Sequence, residues 1–509
     1  MPFTSQDLDD LQHHGLASEE AERQLALMRD PPPPPRLERA CTVGDGIARL
    51  DAERQRALAA RHDLARDAGE WTRFVPASGA ATRMFQDLLK WLAAPAGPVG
   101  LDVDAGVAAG DPAARALLEF VEGLPRFAFH DALVALLAAN GRPMAGLLDR
   151  REYRPILEAL MTPDGLGYAL LPKGLLAFHR TPGGARTAFD EQLSEGAPLV
   201  RDAGGHARFH FTVSPGHEAL FRAALETAGS RPEMHNTRLV VDFSHQSAAT
   251  DTLAAAIDGG PFRDRDGRLV FRPAGHGALI GNLGAIRTPF AFVKNIDNIA
   301  PESRREPSQW WARVLGGLAI ELAEQVRHAL ERLADASDAG AGGHAMEVLK
   351  TFGLDAPDPG RVALMECLRR PIRVCGMVPN TGEPGGGPFW VRRPDGRVSP
   401  QIVESAQVDA KDPGQRAVFA GGTHFNPVFL AARLADPAGG RFDLERFVDP
   451  GAVIVTRKSS GGEALVALER PGLWNGAMAG WLTVFVEVPG TVFTPVKTIH
   501  DLLRPEHQP

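Results

Sequence analysis

The spacing of apolar residues changes along the chain, and the elements it predicts change with it. From Pro112 to Leu160 the apolar positions Leu117, Leu118, Val121, Leu133, Leu136, Leu137, Leu147 and Leu148 recur at helical spacing. Beyond Gly165, short apolar runs alternate with amphipathic stretches. Strands are predicted at Ala207 to Val213, Thr237 to Phe243, Arg268 to Phe271 and Phe290 to Val293. Helices are predicted between them at Pro215 to Thr227, Thr250 to Ile257 and His276 to Leu283. A long helix from Pro307 to Leu333, a mobile Gly- and Ala-rich loop from Asp335 to Gly343 and a helical pair ending near Arg370 follow. Later strands are predicted at Ile372 to Met377, Phe389 to Val391, Gln401 to Val408, Val453 to Thr456 and Thr483 to Val488. Strands separated by helices predict an α/β protein with a mixed, mostly parallel sheet.

Ahead of this pattern, Ser5 to Met28 reads as one or two short helices, with Ser5 and Ser18 as N-caps before acidic first turns. Pro31 to Pro35 forms a polyproline spacer, and a charged helix is predicted around Ile47 to Asp67. Residues 1–70 are thus expected to be an N-terminal helical region, followed by a core from 71 to 509.

Composition and charge narrow the function. The 509 residues are 44% hydrophobic and 23% charged, an ordinary globular balance. A net charge of -8 offers no general attraction for nucleic acid or anionic membrane. Phosphate binding must therefore come from a local cluster of cations and backbone amides. Cys41, Cys367 and Cys375 neither form a disulfide framework nor have zinc-site spacing. Met1 to Arg23 is polar and acidic, unlike a secretory signal, and no apolar run approaches the ~20 residues of a membrane span. A cytoplasmic protein is expected, with neither nucleic acid nor membrane as a partner.

Four segments carry candidate chemistry. The strand from Trp71 runs into the small-residue loop Ser78-Gly79-Ala80-Ala81-Thr82-Arg83 and then a helix. That layout lets backbone N–H groups approach phosphate, with Arg83 offering a forked donor. Lys173 is locked between Pro172 and Gly174 before an apolar run, a poor place for a merely solubilising charge. Gly275 and Gly277 flank His276 after a strand, a loop able to meet a flat or phosphorylated ligand. The apolar strand from Phe290 ends in Asn295, Asp297 and Asn298, where open α/β sheets bind ligands. One aspartate there, aided by phosphate oxygens, suits Mg²⁺. Taken singly, each segment is also compatible with an ordinary turn.

Together the four resemble the UDP-sugar pyrophosphorylases, the UDP-N-acetylglucosamine and UDP-glucose enzymes of the GT-A-like nucleotidyltransferase superfamily. Ser78 to Arg83 is similar to their Gly-rich signature loop, Pro172 to Gly174 to their Pro-Lys-Gly, Gly275 to Gly277 to their base-contacting loop, and Ile296 to Asn298 to their metal strand. Downstream, Thr381 to Pro388, containing Glu383, is similar to their Glu-Pro-Val-Gly segment. Gln401 to Ser405, with Glu404, resembles a strand that holds sugar hydroxyls; Thr423 to Asn426 resembles the segment whose asparagine contacts the sugar. Phe493 to Leu502 is similar to the Pro-Val-Lys run that puts a lysine, here Lys497, on substrate phosphate. The whole chain also resembles a bacterial domain-of-unknown-function family, number 4301.

The resemblance implies a GT-A-like core, a helical insertion at about 97–162 and a sugar-binding half from about 371. It implies an enzyme making an NDP-sugar and pyrophosphate from a nucleoside triphosphate (UTP by default) and a sugar 1-phosphate. Arg83, Lys173 and Lys497 would be catalytic. Ser78, Gly79, Ala80, Ala81, Thr82, Gly275, His276 and Gly277 would bind nucleotide, Glu383, Glu404 and Asn426 sugar, and Asp297 Mg²⁺. Two rivals remain: a non-catalytic nucleotide-sugar sensor on the same fold, and a phosphotransferase. The lack of a Gly-Lys-Ser/Thr loop counts against the second.

Overall fold

Two parallel strands, Trp71–Pro76 and Phe290–Lys294, lie in register with Phe290 opposite Trp71 and Val293 opposite Phe74. The Trp71 indole stacks on Phe290 at 4.9 Å and on Phe292 at 4.2 Å, a contact that adds directional preference to apolar burial. In this computed structural model, which describes residues 3–93, 99–355, 360–382, 385–393 and 395–509, the chain forms two compact units. One comprises Met1–Phe74, Ser244–Val293 and Trp311–Gly490; the other comprises Val75–Phe243, Lys294–Trp310 and Thr491–Pro509.

The first unit is built on a mixed sheet in the order Thr42–Val43, Gly46–Ala48, Leu482–Glu487, Ile372–Pro379, Phe429–Arg433, Phe290–Lys294, Trp71–Pro76. Ile372–Pro379 pairs parallel with Leu482–Glu487 and antiparallel with Phe429–Arg433. Its side chains, among them Cys375 and Met377, join Phe74, Val293, Leu430 and Phe485 in one apolar core. Seven of the eight residues of Ile372–Pro379 are buried, so it reads as a continuous apolar run. Helix Glu306–Ala334 crosses helix Ala52–Asp67 through Gly317, where a Cβ would stand 1.8 Å from the Leu58 carbonyl oxygen.

Several local expectations are corrected. The first helix is capped by Thr4 in a capping box with Asp7, and the second follows Ala17 with no side-chain cap, so neither Ser5 nor Ser18 is an N-cap. The predicted helix from Ile47 begins at Ala52, capped by Asp51, because Gly46–Ala48 is a strand. Arg36–Ala40 is also a strand, pairing with Gly387–Arg392; the N-terminal stretch is not purely helical. The helix predicted at Thr250 to Ile257 is instead Thr252–Leu253 and Ala255–Ala256, paired with Phe271–Arg272 and Glu463–Glu469. The predicted Arg268 to Phe271 strand shrinks to Phe271–Arg272, and Gln401 to Val408 stops pairing at Val403. Short apolar runs fit either geometry locally, and a distant partner decides. The Asp335 to Gly343 stretch is tied down by the Arg332–Asp338 ion pair and by Arg361 donating to the carbonyls of Leu333, Asp335 and Asp338.

In the second unit the predicted insertion is helical, with Val99–Ala108, Pro112–Gly123, His130–Ala139, Met144–Asp149 and Tyr153–Met161. It packs on the chain terminus: Arg126 donates to the Leu503 carbonyl and the His500 imidazole meets the Ala116 carbonyl at 2.8 Å. Strands His206–Thr212 and Arg238–Ser244 are neighbours. Helix Ala188–Val200 is buried almost all round yet carries Glu191, Gln192 and Glu195. Buried charges need partners: Glu191 pairs with Arg305 and His179, and Glu195 with Lys294.

Gly317→Ala is expected to lower the thermal unfolding midpoint by several degrees, an overpacking cost of about 3 kcal/mol. Differential scanning calorimetry checks this, and an unchanged midpoint would refute the tight helix crossing.

Candidate functional site

In the second unit the small-residue loop and the Pro-Lys-Gly segment meet through backbone. Lys173 N–H donates to the Gly79 carbonyl at 3.2 Å, and Ala80 and Pro172 form an isolated β-bridge. Gly174 has a packing reason: a Cβ there would press on Phe221 at 3.0 Å and Ile296 at 3.2 Å. The lysine turn is thus seated against the residue preceding Asp297. Ala81–Arg83 forms a single 3-10 turn, and the helix Gln86–Ala93 starts after it. Gly79, Ala80, Thr82 and Arg83 are exposed, Ser78 is half-buried and Ala81 is buried. Ile499 N–H donates to the Met84 carbonyl, fastening this turn to the segment that carries Lys497.

Asp297 lies at the centre. The loop after Phe290–Lys294 is folded by Asn298 N–H bonding the Asn295 carbonyl. The Asn298 Oδ1 accepts from Thr494 N–H at 2.9 Å, and Val496 N–H donates to the Asp297 carbonyl at 3.0 Å. These bonds bring two lysines to one carboxylate oxygen. Lys173 Nζ and Lys497 Nζ each donate to Asp297 Oδ2 at 3.0 Å, and Lys173 Nζ also reaches the Val496 carbonyl at 2.9 Å. Asp297 is 7% exposed. Burial pushes its carboxyl up, but the Lys497 and Lys173 ammonium groups outweigh that and hold it below its ordinary value. The cluster carries one net positive charge and suits a bound anion.

Asp297 Oδ1 accepts no hydrogen bond among the described residues. Mg²⁺ would fit this oxygen only together with substrate phosphates, whose negative charge offsets the two ammonium groups and whose oxygens, with water, complete its shell. Among the described residues no group of three or more His, Cys, Asp or Glu could hold a metal by itself.

The sequence pattern did not reveal the support behind this cluster. Gln192 Nε2 donates to the Asn295 carbonyl at 2.8 Å, and Lys294 Nζ donates to Glu195 Oε1 at 2.7 Å and Ser308 Oγ at 2.8 Å. The available signal was Lys294 itself, a lysine closing an otherwise apolar strand.

The first unit holds a separate cluster. Gly275 has φ +78°, and a Cβ on Gly277 would stand 2.0 Å from the Pro471 carbonyl oxygen, so both glycines are required by the backbone. His276 stacks on Trp474 with centroids 3.9 Å apart and planes 8° from parallel. Leu473 N–H donates to its Nδ1, which leaves the proton on Nε2. Burial pulls this imidazole down to about 4, so it is neutral at pH 7. Trp474 Nε1 donates to Glu404 Oε1 at 3.2 Å, and Glu404 lies 3.8 Å from His276 Nε2. Burial raises the Glu404 carboxyl.

Asn426 N–H donates to the Gly386 carbonyl, and Gly386 also abuts the Glu404 side chain. The buried Asn426 Nδ2 has no hydrogen-bond partner among the described residues. Thus Trp474 joins His276, between Gly275 and Gly277, to Glu404, and Gly386 links Glu404 to Asn426. Glu383 lies outside the described residues. No helix among the described residues is long and apolar enough to cross a membrane.

The fold is similar to that of solved UDP-sugar pyrophosphorylases. The chain is similar to the UDP-N-acetylglucosamine pyrophosphorylase of Trypanosoma brucei, solved with an inhibitor, at 13% identity and TM-score 0.51, covering 98% of this chain and 79% of that one. It also matches a variant UDP-glucose pyrophosphorylase of Leishmania major in complex with UDP-glucose, at 12% identity and TM-score 0.45, with the same two coverages. Among curated proteins, none is similar enough in sequence to be matched. The chain belongs to the family described as "Domain of unknown function (DUF4301)", matched over residues 4–508.

Lys173→Met is expected to destabilise the protein by about 1–3 kcal/mol, because a buried carboxylate loses one of two cations. Lys497→Met should cost less, about 0–1 kcal/mol, since the Lys497 side chain is 56% exposed. A depressed carboxyl contributes stability that is full above its unfolded pKa of ~4 and is lost as pH falls through the folded value. The Lys173→Met deficit should therefore shrink below pH ~4. Urea titrations at pH 7 and pH 3 measure it, and a deficit independent of pH would refute the pairing.

Proposed function

We propose that this protein is an enzyme that transfers a nucleotidyl group from a nucleoside triphosphate, UTP by default, to a sugar 1-phosphate. The observation that carries the reading is the pair of lysines on the single buried carboxylate of Asp297, beside the small-residue turn. The family-type fold supports it.

In this reading an oxygen of the sugar phosphate attacks the α-phosphorus. A P–O bond forms there, and the bond to the β-phosphate oxygen breaks with its electron pair leaving on pyrophosphate. No general base is needed, because the attacking phosphate is already an anion. Catalysis then consists of positioning and charge neutralisation. Lys173, nearly buried and held by Asp297 and the Val496 carbonyl, fixes the cluster. Lys497, whose side chain is more exposed, is the lysine free to turn from Asp297 to a substrate phosphate. Arg83 and the Ser78–Thr82 amides take the leaving pyrophosphate. Asp297 would hold Mg²⁺, which supplies charge neutralisation on the phosphates when bound. Glu404 and Asn426 keep the sugar-hydroxyl assignment, and the Gly275–Gly277 loop the base assignment, that the resemblance implies. The unpartnered Asn426 amide supports its role, because a buried donor lacks an acceptor.

Pyrophosphate release from the four nucleoside triphosphates against common sugar 1-phosphates, with Mg²⁺ present, tests this. Turnover should fall roughly a hundredfold or more in Asp297→Ala and Lys173→Ala, the scale of lost transition-state electrostatics. Near-normal pyrophosphate release by either variant would remove that residue from the mechanism. Nucleotide-sugar binding without product would identify a sensor, and a phosphorylated acceptor a phosphotransferase.

A further inference from the structure

In the first unit, a cavity of about 240 Å³ opens between the hairpin Gly387–Arg392/Val398–Val403 and the helices Ala341–Thr351 and Arg361–Leu368. Arg370, Arg393 and Arg397 all line it, with Cys367 and Ser399. The backbone places these cations: Arg393 N–H bonds the Arg397 carbonyl at 2.8 Å, closing the hairpin turn, and Arg370 follows the helix that carries Cys367.

Their charges are unevenly matched. Arg397 is held by Asp395, its Nε 2.7 Å from Oδ2. Among the described residues the Arg370 guanidinium donates only to Cys367 Sγ, at 3.8 Å, and the Arg393 guanidinium has no acceptor. Neighbouring Arg369, by contrast, makes a forked pair with Asp436. Burial, with Arg393 and Arg397 adding to it, pulls Arg370 below its usual range. Three guanidinium groups around one half-enclosed space repel each other unless an anion joins them. The Ser399 hydroxyl already accepts from Gln401 Nε2, which leaves its own hydrogen to donate. Asp355, the remaining carboxylate on the cavity, is exposed and screened by water.

We propose that this cavity is a binding site for the phosphoryl dianion of a small phosphate ester or of inorganic phosphate. Guanidinium forks match the oxygens of a phosphoryl group, and a dianion balances two unpaired arginines where a monocarboxylate balances one. The volume lies below the ~300–1,000 Å³ of drug-sized pockets, which limits the ligand to a phosphoryl group with a small organic remainder. None of these residues belongs to the nucleotidyl-transfer reading, so either can fail alone.

Cys367 is a built-in reporter, because Cys41 and Cys375 are fully buried and Cys367 is not. Alkylation of the native full-length chain by iodoacetamide is followed at Cys367 by peptide mass spectrometry. Inorganic phosphate, glycerol phosphate, pyrophosphate and citrate are added in turn, against sodium chloride at matched ionic strength. Inorganic phosphate or glycerol phosphate should slow labelling several-fold at saturation, and the two arms distinguish free phosphate from an ester. Arg393→Ala, a change at a half-buried hairpin-turn residue whose side chain holds no carboxylate among the described residues, should raise the concentration for half protection by about tenfold, the scale of one charge-assisted hydrogen bond. Arg370→Ala/Arg393→Ala should lose protection altogether. Calorimetry of the same probes on the wild type and Arg393→Ala measures binding without relying on the thiol. Protection no greater than that of chloride, with calorimetric binding unchanged in Arg393→Ala, overturns the site. Protection by citrate alone overturns the phosphoryl assignment.

Discussion

A carboxylate with 7% of its surface exposed keeps its charge only where cations answer the lost hydration, and at Asp297 two lysines from distant parts of the sequence do so. Much of the second unit can be read as the apparatus for that encounter. Gly174 lets the lysine turn press against Ile296, and Asn298 pins the Thr494 backbone. Val496 offers its N–H to the Asp297 carbonyl and its own carbonyl to Lys173. The helical stretch at about 97–162 braces the same terminal segment through Ala116 and Arg126.

Behind the site, a second layer of buried charge holds the loop. Helix Ala188–Val200 presents Glu191, Gln192 and Glu195 to Arg305, the Asn295 carbonyl and Lys294. Removing one partner from such a pair leaves an uncompensated charge in a low-dielectric interior, so the network resists piecemeal rearrangement. Under the proposed function, rigidity of this kind suits a site that positions phosphates rather than exchanges protons.

The motifs were legible because each needs an unusual local residue: a lysine trapped between proline and glycine, two glycines around His276, an aspartate closing an apolar strand. The structure shows why some of those residues are there. Gly277 faces the Pro471 carbonyl, where backbone leaves no room for a side chain, and Gly174 sits tightly against Phe221, so packing demands the first and favours the second. Harder to see were Thr252–Leu253 and Arg36–Ala40, strands whose apolar runs are too short to declare their geometry before pairing with chain about twenty and about 350 residues away. Trp474, which joins His276 to Glu404, carried only a weak signal because an isolated indole more often fills a core.

The sequence by itself determined the alternation that makes an α/β fold, the helical nature of the stretch at about 97–162 and the local oddity of Lys173, locked between proline and glycine, because periodicity and local backbone demands are written in adjacent residues. Only the tertiary structure decided that Lys173 and Lys497 converge on one oxygen of Asp297, that Arg83 stays exposed, and that Arg370 and Arg393 line a separate cavity without a carboxylate partner among the described residues. Those outcomes depend on distances between residues far apart in the chain. Burial and the pairing of charge, which no local pattern encodes, set them.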